Sequence, residues 1–163
     1  MTLPGSGPVL GGQPAIGDLD NDGVKEIVVG TKGRQLWVLN ANGSVRAGWP
    51  QTLPAEVVGS PAIGLIDGDA FPDIAVGFKG TSDPTGKGGV RAYLRDGSLI
   101  WERLTATDEG NDGVYSSPAI GNVDGVGGNE VVLGSFDFRI YVIQSNGTEL
   151  PGWPKKLLDT IFS

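Results

Sequence analysis

Residues 14–30 read Pro14-Ala15-Ile16-Gly17-Asp18-Leu19-Asp20-Asn21-Asp22-Gly23-Val24-Lys25-Glu26-Ile27-Val28-Val29-Gly30. Their opening phrase occurs twice more, as Pro61-Ala62-Ile63-Gly64 and as Pro118-Ala119-Ile120-Gly121. Each occurrence leads through a carboxylate-bearing loop into an apolar run: Glu26 to Gly30, then Asp73-Ile74-Ala75-Val76-Gly77, then Glu130-Val131-Val132-Leu133-Gly134. Self-similarity at this spacing marks an array of small units, none of which can bury its apolar face alone.

Outward from that core, a second alternating run follows in every copy: Gln35-Leu36-Trp37-Val38-Leu39, Val90-Arg91-Ala92-Tyr93-Leu94 and Arg139-Ile140-Tyr141-Val142-Ile143. Its β-branched and aromatic residues suit strands. Each run ends near a turn dipeptide, Asn42-Gly43, Asp96-Gly97 or Asn146-Gly147, whose tolerance of positive φ closes a hairpin. A fourth run carries a tryptophan in all three copies, at Trp49, Trp101 and Trp153. Four strands per copy, connected up and down, is the pattern of a propeller blade.

The spacing predicts strands over 8–17, 26–31, 35–40 and 44–53, over 56–65, 73–78, 90–95 and 98–105, and over 114–121, 130–135, 139–144 and 148–157. The expected fold class is therefore all-β: a β-propeller made of four-stranded antiparallel blades, three blades per chain. Residues 1–163 form a single array, with blade one about 8–53, blade two about 56–105 and blade three about 114–158. The second copy is longer in two places, Lys79 to Gly89 within a hairpin and Thr105 to Gly113 before the third blade, where loops tolerate insertion.

Composition agrees. In 163 residues, 28 Gly and 11 Pro punctuate the chain, while 39% hydrophobic residues suffice for a core. No run of about 18 apolar residues exists to span a membrane as a helix. Twelve basic against nineteen acidic residues give a net charge of −7, which repels a phosphate backbone, so nucleic acid is not an expected partner. The absence of Cys removes disulfides and thiolate metal sites, and the absence of His removes the usual base for a serine nucleophile. Paired carboxylates can still cleave a glycan, but the Asp clusters here are accounted for by turns and metal, and no second constellation stands out; no enzyme is expected. The start, Met1-Thr2-Leu3-Pro4-Gly5, lacks the basic and apolar segments of a signal peptide.

The sharpest chemistry lies in the first loop. Asp18, Asp20, Asp22, the carbonyl of Val24 and Glu26 place oxygens at positions one, three, five, seven and nine, with Gly23 at position six for the sharp turn. Calcium requires such a set of hard oxygen donors, and three carboxylates this close repel one another unless a cation lies between them. Asp-Asn-Asp-Gly is equally a turn sequence able to cap its own backbone. The second loop has Leu65 at the first position, followed by Asp67, Asp69, the carbonyl of Phe71 and Asp73, a weakened site. The third has Asn122, Asp124 and Glu130 but Val126 at the fifth position, and reads as an ion-free turn. Position nine opens a strand, not the helix of an EF-hand, so a bound ion would tie the first strand of a blade to the second.

From Pro14 to Gly30 the pattern resembles the FG-GAP and related VCBS repeats of integrin α-subunit propellers and of many secreted bacterial proteins. The resemblance covers essentially the whole chain. It implies Ca²⁺ as the ion, with Asp18, Asp20, Asp22, Val24 and Glu26 as ligands in blade one and Asp67, Asp69 and Asp73 in blade two. It also implies a secreted or cell-surface location, consistent with the scarcity of Ca²⁺ in the cytosol. Families of this kind include adhesion modules, lectins and some polysaccharide lyases, so the resemblance does not choose an activity.

Propellers close with about four to eight blades, so three blades need company. Thr2-Leu3-Pro4 repeats the inter-blade Thr52-Leu53-Pro54, and the last blade ends at Lys155-Lys156-Leu157-Leu158. Two copies head to tail would make a six-bladed homodimer; the alternative is that the missing blades belong to a longer parent chain. The expected function is a non-catalytic, calcium-stabilised extracellular binding or adhesion module for a glycan or protein ligand. A structural propeller fragment of a larger secreted protein, or part of a polysaccharide-active enzyme, stand as alternatives. The three recurring tryptophans read as blade packing before sugar stacking, and Trp37 as core.

Overall fold

The computed structural model describes residues 8, 12–81, 86–105 and 113–158. Among them lie twelve strands: β1 (Ala15–Gly17), β2 (Glu26–Gly30), β3 (Gln35–Leu39), β4 (Gln51–Thr52), β5 (Ala62–Gly64), β6 (Asp73–Phe78), β7 (Gly89–Tyr93), β8 (Leu99–Leu104), β9 (Ala119–Gly121), β10 (Glu130–Ser135), β11 (Arg139–Ile143) and β12 (Lys155–Lys156). They form three four-stranded antiparallel sheets in the orders β1-β2-β3-β4, β5-β6-β7-β8 and β9-β10-β11-β12. The fold is the all-β array of three up-and-down blades that the repeat predicts.

Register repeats as faithfully as sequence. Ala15 pairs with Val28, Ala62 with Ala75 and Ala119 with Val132, so the same faces turn the same way in every sheet. The core lies between sheets. Val28, Leu36 and Val38 of the first blade meet Ile74, Val76, Phe78 and Tyr93 of the second, all buried. Ala75, Val90 and Ala92, on the other face of the second sheet, meet Val131, Leu133, Tyr141 and Ile143 of the third. Strand alternation thus makes the middle sheet apolar on both faces.

Glycines set how near neighbouring blades approach. A Cβ added at Gly17 would lie 2.9 Å from Ile63 Cγ2, and one at Gly64 would lie 2.9 Å from Ile120 Cγ2. Both contacts are tighter than carbon atoms tolerate, so the isoleucine of each later blade rests on bare backbone of the earlier one.

The outer strands depart from expectation. Strands were expected over 44–53 and 148–157, yet only Gln51–Thr52 and Lys155–Lys156 form ladder, preceded by single bridges Leu39 to Val45 and Ile143 to Glu149. Gly48 and Gly152 adopt φ of 85° and 88°, and Pro50 and Pro154 have no N–H to donate, so Gly-Trp-Pro interrupts the strand in blades one and three. Blade two has Ile100-Trp101-Glu102 there and keeps a six-residue strand. The first strands are also shorter than expected, with three paired residues each. Thr2-Leu3-Pro4, residues 82–85 of the first insertion and 106–112 of the second lie outside the described residues.

Gly64→Ala should lower stability by ~1–3 kcal/mol, as overpacking does. In urea denaturation its cost combined with Ile120→Ala should fall short of the sum of the two single costs, because the two sites touch.

Candidate metal centre

The loop between β1 and β2 is built by its own side chains. Asp18 accepts the N–H groups of Asp22, at 3.1 Å through Oδ1, and of Gly23, at 2.8 Å through Oδ2. Asp22 Oδ1 accepts the N–H of Val24 at 2.7 Å. Asn21, at a φ of 58°, donates from its side-chain amide to the carbonyl of Ala70 at 2.9 Å, tying this loop to the next blade's loop. Across the second junction the bond runs the other way, from the side-chain amide of Asn129 in the later blade to the carbonyl of Leu65 in the earlier.

The ninth position has the same structural use in all three loops. Glu26 Oε2 accepts the N–H of Leu19 at 2.9 Å, Asp73 Oδ2 that of Ile66 at 2.9 Å, and Glu130 Oε2 that of Val123 at 2.8 Å. All three carboxylates are buried. A buried loop N–H without an acceptor is costly, so this carboxylate anchors the loop whatever else it binds. Burial pushes the Asp73 carboxyl above the usual range, against the pull of the N–H groups of Asp67 and Ile66.

Asp18, Asp20 and Asp22 converge, each offering an oxygen within 4.8 Å of the others'. Among the described residues they are the one group of three acidic side chains that does so. Asp20 Oδ1 is buried and has no hydrogen-bond partner. Its other oxygen, Oδ2, is held by Arg46 Nη2 at 2.7 Å, and Arg46 Nη1 stands 3.5 Å from Glu26 Oε1. The guanidinium holds the Asp20 carboxyl below its ordinary value, chiefly through that hydrogen bond.

The second loop keeps Asp67, Asp69, Phe71 and Asp73 in the expected positions without drawing the acids into such a group. Asp67 accepts the N–H of Asp69, and Asp69 accepts that of Phe71. Arg95 stands 3.5 Å from Asp69 Oδ2 and lies 3.8 Å over the Phe71 ring. In the third loop Asn122 and Asp124 accept the N–H groups of Gly125 and Val126, a self-capped turn.

Sequence reasoning missed Arg46, although a signal was present. Arg46 donates its backbone N–H to Val38, as Leu150 does to Val142, so the two positions correspond. The copy with three aspartates is thus the copy that carries a cation where blade three has leucine. Trp37 is buried, as are Trp49 and Trp101. The last two point across the blade seams, donating from Nε1 to the carbonyls of Arg95 and Ser145 at 3.1 and 3.0 Å.

Sheet order, inter-sheet core and loop placement define an array of β-propeller blades. Residues 18–76, from the first acidic loop into β6, match the family model described as FG-GAP-like repeat. Among solved structures, the chain resembles BamB from Moraxella catarrhalis, with 19% identity and a TM-score of 0.56 over 90% of this chain and 37% of that one. It also resembles BBS1N, in a structure of its complex with ARL6DN soaked with mercury, with 16% identity and a TM-score of 0.61 over 96% of this chain and 47% of that one. The chain therefore spans less than half the length of either, and at these identities the likeness is one of fold. No curated protein matches the sequence.

Glu26→Ala should cost ~1–3 kcal/mol in urea denaturation by stranding the Leu19 N–H, while Glu26→Gln, which keeps an acceptor, should cost less. Because the folded-state pKa of Asp20 is lowered, its pairing stabilises the fold above the ordinary carboxylate range near ~3.9 and is lost as pH falls through the folded value. The denaturation midpoint should accordingly drop less on acidification in Asp20→Asn than in the parent chain.

Proposed function

We propose that the chain is a non-catalytic, calcium-stabilised binding or adhesion module that works in a secreted or cell-surface setting. The observation that carries this reading is Asp20 Oδ1, a buried carboxylate oxygen without a partner, in the one convergent acidic group of the described residues. Asp18, Asp20, Asp22, the carbonyl of Val24 and Glu26 would hold Ca²⁺ in blade one, all of them hard oxygen donors of the kind the ion takes. Asp67, Asp69, the carbonyl of Phe71 and Asp73 would form the weaker second site. The bound ion would supply charge neutralisation and a cross-link between the first two strands of its blade. Arg46 already neutralises part of that charge from one side, so it fixes the loop in the absence of the ion and opposes the ion's approach.

Such sites need the millimolar calcium found outside cells, which supports the location. The repeat match and the lack of His and Cys support binding over catalysis. A glycan or a protein is the class of ligand proposed, presented to the inter-strand loops. A second reading, a structural segment of a larger secreted propeller protein, is favoured by the chain's coverage of less than half of its structural neighbours.

Calcium titration followed by calorimetry and thermal melting tests the ion. Added Ca²⁺ should stabilise the chain by ~2.7 kcal/mol at a hundredfold excess over the dissociation constant. Asp20→Asn should abolish the effect, and Arg46→Leu should tighten calcium binding while lowering the melting temperature of the calcium-free chain. A melting temperature indifferent to calcium would end the proposal.

A further inference from the structure

Each internal seam of the array uses two contacts. In the first, the isoleucine of the later blade covers a bare glycine of the earlier: Ile63 on Gly17, Ile120 on Gly64. In the second, the indole of the earlier blade reaches the hairpin turn of the later. Trp49 donates to the carbonyl of Arg95 and Trp101 to that of Ser145, and a Cβ at the turn's Gly147 would lie 2.8 Å from Trp101 Cβ.

Both contacts have a third instance on this molecule with its halves at opposite ends. Gly121, the counterpart of Gly17 and Gly64, has nothing within 4 Å of an added Cβ, and Ile16, the counterpart of Ile63 and Ile120, is 65% exposed. Trp153 is half-buried, where Trp49 and Trp101 are each 7% exposed, and its indole N–H has no acceptor among the described residues. The turn at Gly43, counterpart of Gly147, is likewise open. The sheet faces behind these groups agree. Val132 is only half-buried, although its counterparts Val28 and Ala75 are fully covered. Ile27 and Val29 are half-buried where Ile74 and Val76 are sealed.

From this matching of unused halves we infer that the two end faces fit one another, and that a second copy of this chain joins head to tail at both ends to close a six-bladed ring. Ile16 of each copy covers Gly121 of the other, and Trp153 of each reaches the carbonyl of Ala41 in the other's Asn40–Gly43 turn. The interface continues the geometry of the two seams already within the chain. Six blades fall within the range in which propellers close, and a head-to-tail contact that closes gives a finite assembly. This inference stands apart from calcium and does not rest on it.

Sedimentation equilibrium and light scattering on the 163-residue chain test it, with and without calcium. The expected species has twice the 16.9 kDa chain mass. Gly121→Leu places its side chain in open space in the single chain but in the way of Ile16 in the ring; Trp153→Ala removes the indole. Each should raise the dimer dissociation constant about ten-fold or more, with an unchanged circular dichroism spectrum. A chain that stays monomeric at high micromolar concentration, its end faces then belonging to other blades of a longer protein, would overturn the inference. So would a dimer indifferent to both substitutions, or a mass that grows without limit.

Discussion

Ile63 rests on the bare backbone of Gly17 and Ile120 on that of Gly64, and the spacing of the whole array follows from these two contacts. Blade sheets are too small to bury their apolar faces alone, and burial at about 25 cal/mol per Å² rewards only faces that meet. A side chain at either glycine would hold the inner strands apart and open the seam behind them, where Val28, Val38, Ile74 and Val76 are sealed from water. Gly17 and Gly64 are therefore as much packing residues as the isoleucines that rest on them.

The acidic loops sit directly after those glycines and inherit their placement. Their ninth-position carboxylates face inward onto a backbone N–H in all three blades, including the third, where the first and fifth positions are Asn122 and Val126. That persistence separates two jobs that sequence alone merges. Anchoring the loop requires one buried acceptor, whereas gathering a cation would require several oxygens together, and among the described residues only Asp18, Asp20 and Asp22 converge in that way. Arginines attend both of the more acidic loops, Arg46 on Asp20 and Arg95 on Asp69, so part of the negative charge is offset within the blade.

Much of this was legible in the chain itself. The repeat located the middle strands to within a residue or two, because β2, β6 and β10 are apolar runs and β3, β7 and β11 each end at an Asn-Gly or Asp-Gly turn. Recurrence also identified the tryptophans as packing groups, and Trp49 and Trp101 do bridge the seams. The outer strands were overestimated since alternation continues through Gly48-Trp49-Pro50 although a positive φ and a missing N–H stop the ladder there. Arg46 was not legible because its partner depends on register across β3, which places a residue 26 positions downstream beside Asp20. The difference between the first and second acidic loops was legible: the second has Leu65 where the first has Asp18, and only the first gathers three carboxylates.

The interrupted outer strands have a consequence for solubility. A sheet's rim is where unpaired N–H and C=O groups invite strand addition from another molecule. β4 and β12 offer two residues each, too little template for such pairing. The longer β8 carries Glu102 and Arg103, bound to Arg91 and Glu149 respectively, so an incoming strand would have to displace charged pairs. Three parallel-stacked sheets rich in valine and isoleucine are thereby protected along their periphery from the runaway hydrogen bonding that leads to fibres.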